Sequence, residues 1–516
     1  MKNYFMYASL AFMLLGCNPP KTKEEKKILT YTPITAVPMP TTLVSGQKFP
    51  TDSTTINNWI KKSTVVKNLE TNTNIITHGW DIWDALTAFT NQDNNGQKLR
   101  RFETWYTPGD IKTALKAQQK NSSFKLEDIN RSHTGHLVIP HQNIHGDQVK
   151  SVDIIGFVKC NPISAAHIYN NQLYYFEVLK SMIKPGKIAN IPAFPASTVL
   201  IKPVFQVLTD TVTVKIAPGK YRLPTWPGYH NQIPMDSVIA HGFGPESWKN
   251  DITITTTGTT DAANKVFSIN EFIHFKLNKE QAEELKGTNF VTGGTPKAGQ
   301  YAVLVGMHVN TRENRRWTWQ TFWWSENPTA PQSPSSSIIA NKQPARLDIA
   351  AKHYAMSVAY NMISPAQPYT GGTNAITINE PIKESIYAFN PYLEAGFNAA
   401  TFDVAPKPNH KNQSNSGGND SIKKYYSEGY QKIGAFRKSE KIYVGGKLNK
   451  VGIETNCMSC HGQARLYNVA QIKDAFQYYI TDQYTALDAP YYKNTVVLDF
   501  AWSIQGNLIY RDSINK

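Results

Sequence analysis

The chain is poor in cysteine, in acidic residues and in long apolar runs. Four cysteines in 516 residues are too few for the disulfide framework of a small secreted fold. Acidic residues number 39 against 54 Lys and Arg, giving a formal net charge of +15. That excess suits acidic protein partners or an anionic membrane surface. Nucleic acid fits less well, because the basic residues are scattered rather than gathered in one block. No run approaches the ~18 apolar residues of a membrane-spanning helix. Other chemistries lack their signatures: there is no G-x-x-x-x-G-K-[ST] phosphate loop, no H-E-x-x-H and no G-x-S-x-G. Gly242-Phe243-Gly244 has Ser247 where a dinucleotide loop has its third glycine, and reads as a turn. Wholesale disorder is excluded as well, since 41% of residues are hydrophobic and 18% charged, enough for a sizeable core.

The first residues carry an address. Lys2 precedes an apolar stretch, Tyr4 to Leu15, that is too short to span a bilayer. It ends in Leu14-Leu15-Gly16-Cys17, which resembles a bacterial lipobox. The resemblance implies removal of residues 1–16 and lipid attachment at Cys17, so that acyl chains hold the protein at a membrane face. The alternative is an ordinary secretory signal with an incidental cysteine. The expected location is the bacterial cell envelope, facing the periplasm or on the outer membrane. Residues 17–55, rich in Pro, Thr and Lys, read as a tether.

Beyond the tether the pattern predicts an α+β fold: a β-rich central region with flanking helices over 56–404, a linker over 405–421, and a small, mainly helical C-terminal segment over 422–516. Helical spacing marks Asp81 to Phe89, Asp110 to Gln119, Lys279 to Lys286 and Leu347 to Met362. Strands are expected at Val199 to Leu208, Thr211 to Ile216, Ile252 to Thr257, Phe272 to Leu277, Tyr301 to Val309 and Arg316 to Trp324. In the last of these Trp317, Trp319, Thr321 and Trp323 share one face, which reads as core. Asn91, Asp93, Asn95 and Gly96 have calcium-loop spacing, but Phe102 replaces the closing Glu and a solvated turn explains them better. His133, His136, His141 and His145 are crowded, yet Pro140 breaks any helix through them and no acidic partner completes a metal site. Cys160 reads as a small buried side chain.

One motif carries chemistry. Cys457-Met458-Ser459-Cys460-His461 has the C-x-x-C-H spacing of covalent haem c attachment. On a helical turn positions i, i+3 and i+4 share a face. Cys457 and Cys460 would form the thioethers, and His461 would be the proximal iron ligand. A redox dithiol or half of a zinc site is the rival reading, though no second C-x-x-C exists. No methionine follows His461, so a distal ligand would come from upstream or the position would be open.

Val199-Leu200-Ile201-Lys202-Pro203-Val204-Phe205, Val305-Gly306-Met307-His308-Val309, Trp317-Thr318-Trp319-Gln320-Thr321-Phe322 and Asn456 to His461 follow in this order. Together they resemble the large bacterial mono-haem cytochrome c family proteins, over roughly residues 60 to 516. The resemblance implies an exported mono-haem protein of largely uncharacterised role; single-electron transfer is the leading expectation for it, and the basic excess of the chain suits an acidic redox partner. Peroxidase-like chemistry at an open iron and haem-based sensing are the alternatives. Trp323-Trp324 departs from the family pattern, which has Glu after the Phe. His308 is the first choice for a distal group, with His353, Met356 and Met362 in reserve. Met307 should face the opposite side of the sheet from His308. No catalytic residue is named.

Overall fold

The computed structural model describes residues 33–62, 72–94, 96–131, 154–209, 215–228, 244–286, 296–360, 390–395, 442–444, 447–449, 461–467, 487 and 492–511. The signal segment, Cys17, the four crowded histidines, Met362, the 405–421 linker, Cys457 and Cys460 lie outside them.

Three helices precede the main sheet: α1 (Ser53–Lys62), α2 (Thr73–Thr87) and α3 (Pro108–Lys120). Helix α2 begins two turns earlier than its acidic residues suggest. The side chain of Asn72 caps it by accepting from the Ile75 amide, and Asp81 sits mid-helix and buried. Helix α3 opens on a capping box, with the Thr107 hydroxyl accepting from the Asp110 amide and the Asp110 carboxylate accepting from the Thr107 amide. Between them, Phe89–Asn94 and Gln97–Arg100 form a hairpin. Gly96 turns it at φ +78° and donates to Asp93 Oδ1 at 2.8 Å. The calcium spacing is therefore that of a turn.

The main sheet has seven strands: β1 (Ile154–Gly156), β2 (Lys159–Cys160), β3 (Val199–Val207), β4 (His274–Lys276), β5 (Tyr301–Thr311), β6 (Thr318–Trp324) and β7 (Tyr354–Ala359). Its order is β7-β6-β5-β3-β1, with β4 beside the start of β5 and β2 beside β3, and every pairing is antiparallel. All seven residues of β6 are buried. A strand covered on both faces needs apolar bulk at every position, which is why Trp, Phe and Thr run together here. The same double burial explains a correction. Leu347 to Met362 has helical spacing, but among its described residues only Ile349–Lys352 is helical, and Tyr354–Ala359 forms β7. A continuous apolar run satisfies either period, and pairing with β6 decides for the strand.

One face of the sheet presents Met307, Phe322, Met356 and Val358 to α2 and builds the first core. Trp83 of α2 stacks on Phe322 at 4.3 Å and its indole N–H donates to Ala351 O at 3.0 Å. Gly79 permits the close approach, because a Cβ there would lie 2.7 Å from Met356 Sδ and 3.2 Å from Val358 Cγ1. The opposite face, with Leu200, Trp319 and Ala359, belongs to a second core that also holds Tyr174, Leu179, Leu498 and Ile504.

The C-terminal residues are woven into that second core. Arg465–Tyr467 pairs with Thr495–Val497, which runs parallel to Ile188–Asn190. The fold is mixed α/β with several sheets. The expected small, mainly helical C-terminal haem segment is not found among the described residues. Its described part supplies strands to a sheet shared with mid-chain residues and one helical turn, Trp502–Gln505. No helix among the described residues is long and apolar enough to cross a membrane. Cys160 is buried in β2, and burial pushes its thiol up to about 12.

Two predictions follow from this packing. Gly79→Ala should destabilise the protein by about 1–3 kcal/mol in chemical denaturation, because Met356 must leave its rotamer or α2 must lift. Lys159 is buried and donates to Glu103 O at 2.6 Å and Trp105 O at 3.2 Å, and burial lowers its ammonium from 10.5 to about 8. Between those values the folded chain binds fewer protons than the unfolded one, so stability should rise with pH from about 8 to 10.5, by about 3 kcal/mol at most. The unfolding free energy of Lys159→Met should lack that rise.

Candidate ligand site on the main sheet

The β5–β6–β7 and β5–β3 registers set one polar row across the second face of the sheet: Lys202, His308, Thr321 and Ser357 stand opposite one another. Met307 faces the other way, buried in the first core, as strand alternation requires. Over this row lies the short helix α4 (Pro391–Glu394). Asn390 caps α4 by accepting from the Tyr392 amide, and its amide group donates to Thr321 Oγ1 at 2.9 Å and to Phe322 O at 2.8 Å. Glu394 reaches back, accepting from the Asn390 amide at 2.6 Å through Oε2. Its other oxygen accepts from His308 Nε2 at 2.6 Å.

That bond fixes the His308 ring. In the tautomer that commits Nε2–H to the carboxylate, Nδ1 carries the lone pair, and this atom is buried with no hydrogen-bond partner among the described residues. A histidine oriented by a carboxylate, with its second nitrogen unused, is the arrangement of a general base or an acceptor for a bound ligand.

His461 completes the neighbourhood. Its ring lies 4.7 Å from that of Trp319, on the same side of the sheet as His308. Its Nδ1–H donates to Phe500 O at 2.8 Å. Burial above all, with the nearby Lys202 ammonium adding to it and the bond to Phe500 opposing it, holds His461 down at about 4. The ring is thus neutral at physiological pH, with its lone pair on Nε2. The carbonyl that orients it sits on strained backbone: Asp499 and Phe500 have φ +43° and +69°. Asp499 is pinned by Arg312 Nε at 2.9 Å and by the Phe194 amide at 3.0 Å.

Of the expected site residues, the structure brings His308 and His461 to one face. Met356 lies on the opposite face under α2, and His353 stacks on Trp324, 3.5 Å from Glu271. Glu394, Asn390 and Lys202 were missed by sequence reasoning. The signal for the first two was present: Asn390-Pro391 followed by Glu394 is a capped helix start.

The haem expectation is corrected. Among the described residues no group of three or more His, Cys, Asp or Glu side chains could hold a metal ion. No protein-family model, no curated protein and no solved structure matches the chain. Assignment to the mono-haem cytochrome c proteins is therefore withdrawn, together with haem c as cofactor, electron transfer, and the peroxidase-like and haem-sensing alternatives. The reason is physical. Three of the four resembling stretches lie on β3, β5 and β6, where burial on both faces imposes apolar and aromatic runs on any sequence. The remaining support is a five-residue spacing.

Gly306 tests the site's construction. A Cβ there would stand 2.8 Å from both side-chain polar atoms of Asn390. Gly306→Ala should displace Asn390, untie Glu394 from His308, and cost about 1–3 kcal/mol of stability. In imidazole NMR the His308 Nε2 proton should then exchange faster with water, while His461 keeps its bond to Phe500.

Proposed function

We propose that this is an envelope lipoprotein whose folded body binds a small hydrogen-bond-donating ligand between His308 and His461. The observation that carries the binding reading is the His308 ring: Glu394 locks one nitrogen while the other, Nδ1, is buried without a partner among the described residues. A buried unpaired acceptor costs ~1–3 kcal/mol, and a ligand N–H or O–H would relieve that cost. His461 offers a second acceptor, Nε2, oriented by Phe500. Lys202 in the same row disfavours a multiply charged cation. Neutral hydroxylic or amide-like ligands suit the site best.

Membrane attachment rests on Leu14-Leu15-Gly16-Cys17 and on the Pro- and Thr-rich residues after it. With acyl chains at Cys17, the body would stand off the membrane on a tether, and its net charge of +15 would draw it to anionic headgroups or an acidic partner protein.

Each half has its own test. Titration of the full-length protein with glycerol and with acetamide, followed by 15N imidazole NMR, should move the His308 Nδ1 resonance for at least one probe and leave it unmoved in Glu394→Gln. If neither probe shifts His308 or His461, the binding reading fails. For the anchor, mass spectrometry of the membrane fraction should find acyl groups on Cys17, and Cys17→Ser should release the chain to the soluble fraction. An unmodified Cys17 removes the lipoprotein reading and leaves the ligand site standing.

A further inference from the structure

We propose that the folded body rests on an anionic membrane through one surface, made by Phe89, Ile338 and Ile349 with Lys98, Lys342 and Lys352 around them. The occupant, a lipid surface, rests on the lipoprotein reading of Cys17.

The surface is assembled at the C-terminal end of α2. Arg100 donates to Thr87 O at 2.7 Å, which caps that end of the helix. It also grips the Asp348 carboxylate with bonds of 2.6 and 3.0 Å. The same guanidinium lies over the Phe89 ring, 4.3 Å from its centroid. One buried side chain therefore ties the hairpin that carries Phe89 to the short helix Ile349–Lys352. A second short helix, Ser337–Ala340, stands beside it. Ile339 O accepts from the Trp80 indole at 2.8 Å and Ala351 O from the Trp83 indole at 3.0 Å, so both helices are bonded to neighbouring turns of α2. Gln343 closes the loop between them, donating to Tyr354 O at 2.9 Å and Lys352 O at 3.3 Å.

This frame holds apolar side chains out in water. Phe89 is 47% exposed, Ile338 47% and Ile349 58%. Single exposed apolar residues are ordinary on a protein surface. These three differ in being fixed on one rigid frame and in the charge around them. Of the carboxylates beside them, Asp84 is paired with Arg346 and Asp348 with Arg100, while Asp93 accepts from the Gly96 amide. Lys98, 5.8 Å from the centre of the Phe89 ring, Lys342 and Lys352 are exposed and make no ion pair among the described residues. Apolar tips ringed by uncompensated ammonium groups match the boundary between acyl chains and anionic headgroups. Each lysine held there is worth about fivefold in binding.

The N-terminal chain meets the body at the same place. Thr35 and Gln92 exchange two bonds of 2.7 Å. Gln92 lies on the strand that begins at Phe89, about 10 Å along it. Cys17 precedes Thr35 by eighteen positions (35 − 17), at most about 60 Å of extended chain. An acyl anchor at Cys17 thus holds this end of the body near the bilayer, and the surface supplies the second contact that stable attachment requires.

Lysine acetylation of the full-length protein, mapped by mass spectrometry, tests the surface on vesicles of phosphatidylcholine with and without phosphatidylglycerol. Labelling of Lys98, Lys342 and Lys352 should slow about fivefold when phosphatidylglycerol is present and fade back in high salt. Lys180 and Lys220, exposed elsewhere, should be slowed by neither vesicle. Phe89→Ser combined with Ile349→Ser should abolish the slowing, and both sites are open enough to water for the fold to persist. Equal labelling of the three lysines on the two vesicles overturns the proposal. So does equal slowing of Lys180 and Lys220, which would mean diffuse adsorption, or slowing that survives in the double variant. The mass of the Cys17 peptide in the same digest reports acylation separately, so an unmodified cysteine counts against the anchor while the lysine pattern decides the surface.

Discussion

Burial of β6 on both faces is the constraint on which the rest of the structure depends. A strand in the middle of a sheet can be covered twice only if two separate layers pack on it, and here they do. Helix α2 brings Trp80 and Trp83 onto Phe322 from one side. The second core, with residues from both mid-chain and C-terminal segments, covers Trp319 from the other. The sheet therefore works as a partition with a different polar feature on each face. Facing α2 is the closed His78–Glu313–Tyr360 cluster; on the far face is the row that runs from Lys202 through His308 to Thr321.

The two features illustrate opposite ways of handling a buried histidine. Both nitrogens of His78 are engaged and no edge of it meets solvent. Such a ring is a structural element, tying α2 to the residues that follow β5 and β7. His308 has one nitrogen engaged and one idle. An idle acceptor beside an oriented, neutral His461 is costly unless something occupies it, and that cost is the physical argument for a ligand. Left-handed backbone at Asp499 and Phe500 adds to it, since strained conformations persist where surrounding contacts hold them for a purpose.

Parts of this were legible in the sequence because they rest on local rules. Thr107-Pro108 with Asp110 announces the start of α3, the alternation of Met307 and His308 assigns them to opposite faces, and Lys279–Lys286 is helical as its polar periodicity indicates. The run from Leu347 to Met362 misled, since full burial erases the difference between a period of 3.6 and a period of 2. The cytochrome assignment misled for a related reason. Stretches that look distinctive one at a time are what a doubly covered sheet demands, and a short Cys and His spacing cannot by itself supply the surroundings that make it a cofactor site.

By itself, then, the sequence determined the strands β3, β5 and β6, the helix Lys279–Lys286 and the chain's net charge, because each follows from composition or from neighbours within a few residues. Only the tertiary structure decided that Glu394 would meet His308 across 86 positions and that Glu313 would meet His78 across 235. Such pairings come from sheet register and from chain that returns after long excursions, and no local spacing encodes them. Which histidine is closed and which has a nitrogen to spare is settled by those distant partners.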